Sequence, residues 1–207
     1  RAADLGLPRA IVVNMLDRDR ADFDMVLAGL SELAPGAVAI QIPIGSESGF
    51  TGVVNLVSMT ATTYADGATA GVTGPIPDEL AGPAQAAREH LIDVVAERDD
   101  ALIEKYLEGE EITTDELIGG LLSGVAEGRL SPVVCTAGGP CVGVDRALDL
   151  IVDCQPGCYT LVGERVEVDV DHRRLALQQQ FAHELQVGLV DDQNRFVLLR
   201  IADLAEE

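Results

Sequence analysis

Ala10-Ile11-Val12-Val13-Asn14-Met15-Leu16-Asp17-Arg18 is a short β-branched apolar run that ends abruptly in Asn-x-x-Asp. The run is too short for a helix of its own and reads as a buried strand. Polar side chains at the C-terminal end of such a strand stand where open α/β sheets bind ligands. Asn14 and Asp17 together suggest guanine, because a carboxylate can accept two parallel hydrogen bonds from the N1–H and the exocyclic amine of that base. Adenine offers no such donor pair and would leave the charge unpaired, which is costly. Asn14 would hold the loop and reach the other edge of the base. The same residues also admit a plainer account, an Asx-turn after a strand followed by a helix N-cap.

Outward from this stretch the pattern alternates between strand and helix. Phe23, Val26, Leu27 and Leu30 have helical spacing, with Asp19 or Asp22 as cap and Pro35-Gly36 as stop. Val38 to Ile44 alternates like one half-buried strand, and Pro43 places it near an edge. Gly52 to Val57 and Met59 to Tyr64 read as two more strands, and Gly67 to Pro75 as a loop without periodicity. Pro77-Asp78-Glu79-Leu80 opens a helical region, and Ala84 through Tyr106 reads as helix, with Asp99-Asp100 a solvated turn within it. Thr113-Thr114-Asp115-Glu116 is a capping box that starts another helix.

Pro132-Val133-Val134-Cys135-Thr136 is a second buried strand, running into Ala137-Gly138-Gly139-Pro140, and Gly143-Val144-Asp145 then leads a helix. Two buried strands, each entering a polar or small-residue loop and then a helix, argue a parallel α/β unit. Between them lies an α+β insertion over residues 37–128. Beyond residue 157, Val166 to Val170 alternates like a strand. Leu185 to Val190 and Arg195 to Ile201 flank Asp191-Asp192-Gln193-Asn194 as a hairpin would. Leu175 to Glu184 suits strand or helix.

Composition bounds the function. The chain has 207 residues, 47% hydrophobic and 24% charged, which is globular and long enough for a sizeable core. Its formal charge of −21 argues against direct, charge-driven nucleic-acid binding. No apolar run is long enough to span a bilayer, and no secretory leader is read at the start, so a cytoplasmic protein without a membrane partner is expected. Cys135, Cys141, Cys154 and Cys158 form no Cys-x-x-Cys pair, so reduced thiols are expected rather than a zinc site. His183-Glu184 lacks the second histidine of a zinc-protease motif, since Val187 stands there. An opening of Arg-Ala-Ala without Met reads as a piece of a longer chain.

Over residues 1–157 the chain resembles elongation factor G and its close relatives among the ribosomal translocase-type GTPases. Asn14-Met15-Leu16-Asp17-Arg18 with Ala21-Asp22-Phe23, Gln41-Ile42-Pro43-Ile44-Gly45 and Phe50-Thr51-Gly52-Val53-Val54-Asn55-Leu56 carry the resemblance in the first third. Ile76-Pro77-Asp78-Glu79-Leu80, Glu97-Arg98-Asp99-Asp100, Glu104-Lys105-Tyr106-Leu107-Glu108-Gly109, Pro132-Val133-Val134-Cys135 and Gly143-Val144-Asp145 continue it in the same order. The resemblance implies that residues 1–36 and 129–157 are the C-terminal part of a P-loop GTPase domain. Residues 37–128 would be the α+β subdomain inserted between its two guanine loops, and 158–207 an unassigned β-rich tail. It implies GTP or GDP as ligand, with Mg²⁺ only in the intact domain, and the ribosome as partner, the insertion facing the large-subunit stalk protein. Asn14 and Asp17 match the guanine-specificity motif. Thr136, Ala137 and Gly138 fall at the second base-contact loop, where a backbone N–H meets the guanine O6. A monomer is expected.

The chain departs from the family where lysine usually follows the asparagine. Met15 can pack on the base but cannot supply the charge that braces the phosphate loop, so weakened nucleotide affinity is expected. No Gly-x-x-x-x-Gly-Lys-Ser/Thr is present, so this chain alone is not expected to hydrolyse GTP, and no catalytic or metal-ligating residue is assigned. The alternative expectation is a non-hydrolysing module of the same family that binds the ribosomal stalk.

Overall fold

Ile11–Val13, the apolar run before Asn14, forms strand β1, with Ile11 and Val13 turned into the core. The computed structural model describes residues 8–154, 186–190 and 196–200. Two sheets organise these residues. The first is mixed, in the order β2-β7-β1-β8-β9, and joins β2 (Ala37–Ala39), β7 (Ser131–Cys135), β8 (Gln186–Val190) and β9 (Phe196–Arg200) to β1. The β1, β2, β7 and β8 pairings are parallel, and β8 and β9 form an antiparallel hairpin. The second sheet is antiparallel, in the order β3-β4-β5-β6, built from Gln41–Ile44, Gly52–Asn55, Thr60–Thr63 and Val72–Gly74. The architecture is therefore α/β, with a parallel sheet and a separate antiparallel one.

The single strand expected over Val38 to Ile44 is divided between the sheets. Ile40 N–H donates to the Val133 carbonyl, while the Ile40 carbonyl accepts from Leu56 N–H. Ile40 is thus the hinge at which the backbone changes partners. Ala37–Ala39 pairs with β7, so the parallel sheet extends three residues past the boundary expected at residue 37. Pro43 lies on the outer strand of the antiparallel sheet, opposite Val53, where its missing N–H costs little. Asn55 ends β4 by an Asx-turn, its Oδ1 accepting from Val57 and Ser58 N–H.

Five helices among the described residues cover the sheets. α1 (Phe23–Leu33) starts at Asp22, whose carboxylate accepts from Met25 N–H. α2 (Asp78–Ala96) packs across β2 and β3 and against α3 (Asp100–Leu107) and α4 (Thr114–Ala126). The helix expected to run unbroken to Tyr106 stops at Ala96. Asp99 turns extended and accepts from Ala101 and Leu102 N–H, so it caps a new helix rather than sitting in a solvated turn. The capping box at Thr113 and Glu116 is formed as expected, and Lys105 of α3 adds an ion pair to Glu116 at 2.8 Å. α5 (Val144–Cys154) follows β7 through the loop 136–143.

One cluster of buried residues runs through both sheets, from Val13, Val38 and Val133 to Val54, Leu56, Leu91 and Leu117. The insertion is thus packed into the same core as the parallel sheet. In the tail, the strands expected on either side of Asp191 to Asn194 are β8 and β9. The expectations for Val166 to Val170 and for Leu175 to Glu184 lie outside the described residues.

Candidate functional site

The C-terminal ends of β1 and β7 lie side by side, in register from Ile11 opposite Val133 to Val13 opposite Cys135. Both chains leave the sheet at this edge, so Asn14 and Thr136, 122 positions apart in sequence, meet. Thr136 N–H donates to the Val13 carbonyl at 2.9 Å, and Leu16 N–H donates to the Thr136 carbonyl at 3.3 Å. Asn14 Oδ1 accepts from Gly138 N–H at 3.0 Å and from Thr136 Oγ1 at 3.1 Å. The carboxamide therefore holds the second loop against the first. Its Nδ2 amino group has no recorded acceptor among the described residues.

Asp17 stands next to the second loop: a side chain added at Gly139 would meet the Asp17 carboxylate at 4.0 Å. The carboxylate is one-quarter exposed and makes a loose pair with Arg18 Nε at 3.9 Å. It thus remains open to a donor pair on a ligand. Met15 is exposed by 43% and lies at φ 65°, in the left-handed region. Arg20 (φ 64°) and Cys141 (φ 62°) share that conformation. Each costs a non-glycine residue of the order of 1 kcal/mol, and such strain gathers where surrounding contacts over-determine a loop.

Thr136, Ala137 and Gly138 come together with Asn14, Met15 and Asp17, but their N–H groups are engaged within the protein. Thr136 N–H goes to Val13, Ala137 N–H to the Val142 carbonyl at 2.9 Å, and Gly138 N–H to Asn14. An incoming carbonyl oxygen would therefore share the Gly138 N–H with Asn14. Gly138 is exposed and Thr136 and Ala137 are buried, so Gly138 is the member of the three that a ligand can reach.

Gly143, Asp145 and Tyr64 also shape this edge, through contacts that the sequence did not reveal. Gly143 (φ 75°) brings the loop back beneath β7 so closely that a Cβ there would lie 2.3 Å from the Cys135 carbonyl oxygen. Asp145, in the first turn of α5, accepts hydrogen bonds from Tyr64 Oη and from Gly71 N–H at 3.3 Å. Burial works against its charged form. The Tyr64 and Gly71 hydrogen bonds and the neighbouring Arg146 outweigh burial and hold the carboxyl below its usual value. Burial and the Asp145 carboxylate push the Tyr64 phenol well up, so it stays a donor. Burial also pushes the Cys135 thiol up, leaving it a neutral packing group.

A cleft of about 440 Å³ opens between the start of α1, β3 and α2, lined by Asp22, Asp24, Ile42, Pro43, Leu80 and Pro83 among others. It contains none of the six site residues. No group of three or more His, Cys, Asp or Glu side chains among the described residues is arranged to hold a metal ion. No helix among them is long and apolar enough to cross a membrane.

No protein-family model matches the chain. Among solved structures it is similar to the crystal structure of ttk003000868 from Thermus thermophilus, with 31% identity and a TM-score of 0.66 over 74% of this chain. The match takes in 23% of the Thermus protein, so the present chain corresponds to under a quarter of that protein's length.

Proposed function

We propose that the paired loops at 14–18 and 136–143 are the base-recognition end of an elongation factor G-like translational GTPase, which binds GTP or GDP and acts on the ribosome. In this reading residues 8–39 and 129–154 belong to the GTPase domain. Residues 40–128 are its inserted subdomain, turned toward the ribosomal stalk protein. The observation that carries the reading is the Asn14 carboxamide, which ties Gly138 and Thr136 to the end of β1 while Asp17 stays open beside Gly139.

The chemistry follows from those positions. Asp17 accepts from the guanine N1–H and amine, which gives a charge-assisted donor pair that adenine cannot match. Asn14 keeps the loops together and turns Nδ2 toward the other edge of the base. The Gly138 N–H, shared with Asn14 Oδ1, is the donor for O6, and Met15 lies over the ring. The residues assigned here choose the base. Hydrolysis of GTP, with Mg²⁺, belongs to an intact GTPase domain that also holds a phosphate loop.

Nuclear magnetic resonance titration of the ¹⁵N-labelled chain with GDP and with ADP tests the assignment. The expected result is saturable shifts at Gly138, Gly139 and Leu16 with GDP and none with ADP. Asp17→Asn replaces the acceptor pair by one donor and one acceptor, which fits the N1–H and C2 carbonyl of xanthine, so the preference should pass to XDP. Equal responses to GDP and ADP would overturn the reading.

A further inference from the structure

The inserted sheet reaches the chain just past each loop of the candidate site through polar contacts that the base-recognition reading does not use. Two residues past the first loop, Arg20 N–H donates to Glu47 Oε1, in the turn between β3 and β4, at 2.8 Å. Both residues have left-handed backbones, at φ 51° and 64°. Toward the second, Tyr64 follows β5 and its ring is buried, with Oη on Asp145 Oδ1. Gly71, just before β6, packs so tightly on the Tyr64 ring that a Cβ there would lie 2.7 Å from Cζ. Its N–H donates to the other oxygen of the same carboxylate. Asp145 Oδ1 also accepts from Arg146 N–H at 2.9 Å, and Arg146 is held in turn by Asp145 and by Asp149 at 3.2 Å. Both oxygens of Asp145 are therefore occupied, and both reach the inserted sheet.

Asp145 is two residues past Gly143, the point at which loop 136–143 is pinned beneath β7. The start of α5 cannot move relative to the inserted sheet without breaking the Asp145 hydrogen bonds. The loop between Thr136 and Gly143 is then fixed at both ends, by β7 at one and by Asp145 at the other. We propose that Tyr64 and Asp145 are positioning residues through which the inserted sheet sets the shape of loop 136–143. Resting on the guanine reading, this makes the insertion a brace for the second base-contact loop, so that whatever moves the inserted sheet changes how tightly a base is held. The cluster is a tie between elements, since its carboxylate is already saturated by protein donors.

Amide hydrogen exchange of the full chain, compared between the parent, Tyr64→Phe and Asp145→Asn, tests the brace without any ligand. Tyr64→Phe keeps the ring and removes the donor. Exchange at Ala137, Gly138 and Ala147 should then accelerate by about tenfold or more, the change expected from one lost hydrogen bond to a charged group, while Leu117 and Leu121 in α4 keep their parent rates. A merely structural role would raise all of these rates together through global unfolding. Uniform acceleration, or unchanged rates in the loop, overturns the proposal. Asp145→Asn preserves size and should give the same pattern, which keeps the test open if Tyr64→Phe fails to fold. The same samples titrated with GDP and ADP separate the two ideas. A parent that prefers GDP should lose affinity in both variants, and unchanged affinity would count against the brace. A parent with no preference refutes the guanine reading, and the exchange rates alone then decide whether the insertion positions the loop.

Discussion

Gly143→Ala and Gly138→Ala place the same methyl group in the same loop with opposite consequences. At Gly143 the backbone is left-handed, which costs alanine about 1–2 kcal/mol. The new Cβ would also sit 2.3 Å from the Cys135 carbonyl oxygen. That oxygen is on the last residue of β7, a fully buried strand paired on both sides, so relief needs a backbone shift and not a rotamer change. Forced shifts of this kind cost about 1–3 kcal/mol. The lower entropy of an unfolded chain with alanine returns roughly 0.4–1 kcal/mol. The net expectation is a loss of about 1–4.5 kcal/mol. At Gly138 the nearest atoms to a new Cβ are those of the Asn14 carboxamide at 3.7 Å, an ordinary contact. No left-handed strain arises there, so stability should change by less than about 0.5 kcal/mol or rise slightly. Urea unfolding followed by far-ultraviolet circular dichroism measures both, with unchanged m-values as the check that only stability moved. A Gly143→Ala variant within about 0.5 kcal/mol of the parent, or a Gly138→Ala variant as unstable as Gly143→Ala, would refute the described approach of the loop to β7.

Asn14→Ala removes the acceptor for Gly138 N–H and Thr136 Oγ1, and should cost about 1–2 kcal/mol in the same assay. A change below about 0.3 kcal/mol would mean that water replaces the carboxamide at no cost. Lys105 and the Thr113 backbone and hydroxyl hold the Glu116 carboxyl down to about 2, against an ordinary 4.5. A depressed value stabilises the fold above the unfolded value and is lost as pH falls through the folded one. The α3–α4 junction should therefore loosen between about pH 4.5 and 2, and Glu116→Gln should remove that part of the acid dependence of α4 amide exchange. If the base-recognition proposal holds, Met15→Lys should tighten GDP binding by adding a cation near the bound nucleotide, and an equilibrium titration showing the same affinity as the parent would exclude a role for this position.

What could be read from the sequence was what depends on neighbours along the chain. The apolar runs of β1 and β7, the Asp22 cap and the reciprocal Thr113–Glu116 box are all local, and the structure has them where the residues placed them. The partner change at Ile40 left no mark, because a period-two pattern continues unchanged when a strand passes from one sheet to another. β6 was hidden in a Gly/Thr-rich stretch, since Val72 and Thr73 are exposed and the strand exists through its pairing with β5 alone. Asp99 looked like half of a solvated charge pair because capping depends on its extended backbone, which composition does not reveal. In the candidate site, the position of Asn14 and Asp17 just past a strand end was legible from the apolar run before them. The pairing of Tyr64 with Asp145 was not, the two being 81 residues apart and on separate elements.

The contacts around the second loop bear on how an affinity would be built there. A loop ordered only on binding charges its ordering entropy against the ligand, whereas one fixed beforehand does not. Loop 136–143 is fixed through Thr136 on β1, Gly143 beneath β7 and Asp145 on the inserted sheet. Met15 and Cys141 hold left-handed backbones at its two sides, which the surrounding contacts must maintain. The protein therefore stores the cost of shaping this edge in its fold, and a planar ligand would meet Asn14, Asp17 and Gly138 already in place. Loosening the loop at its far end should then act chiefly on ligand dissociation, since the encounter surface is unchanged while the bound complex loses its support. Stopped-flow displacement of a fluorescent GDP analogue from Tyr64→Phe should show faster release with little change in the association rate. A variant that slows association instead would mean that the inserted sheet shapes the entrance to the site rather than its floor.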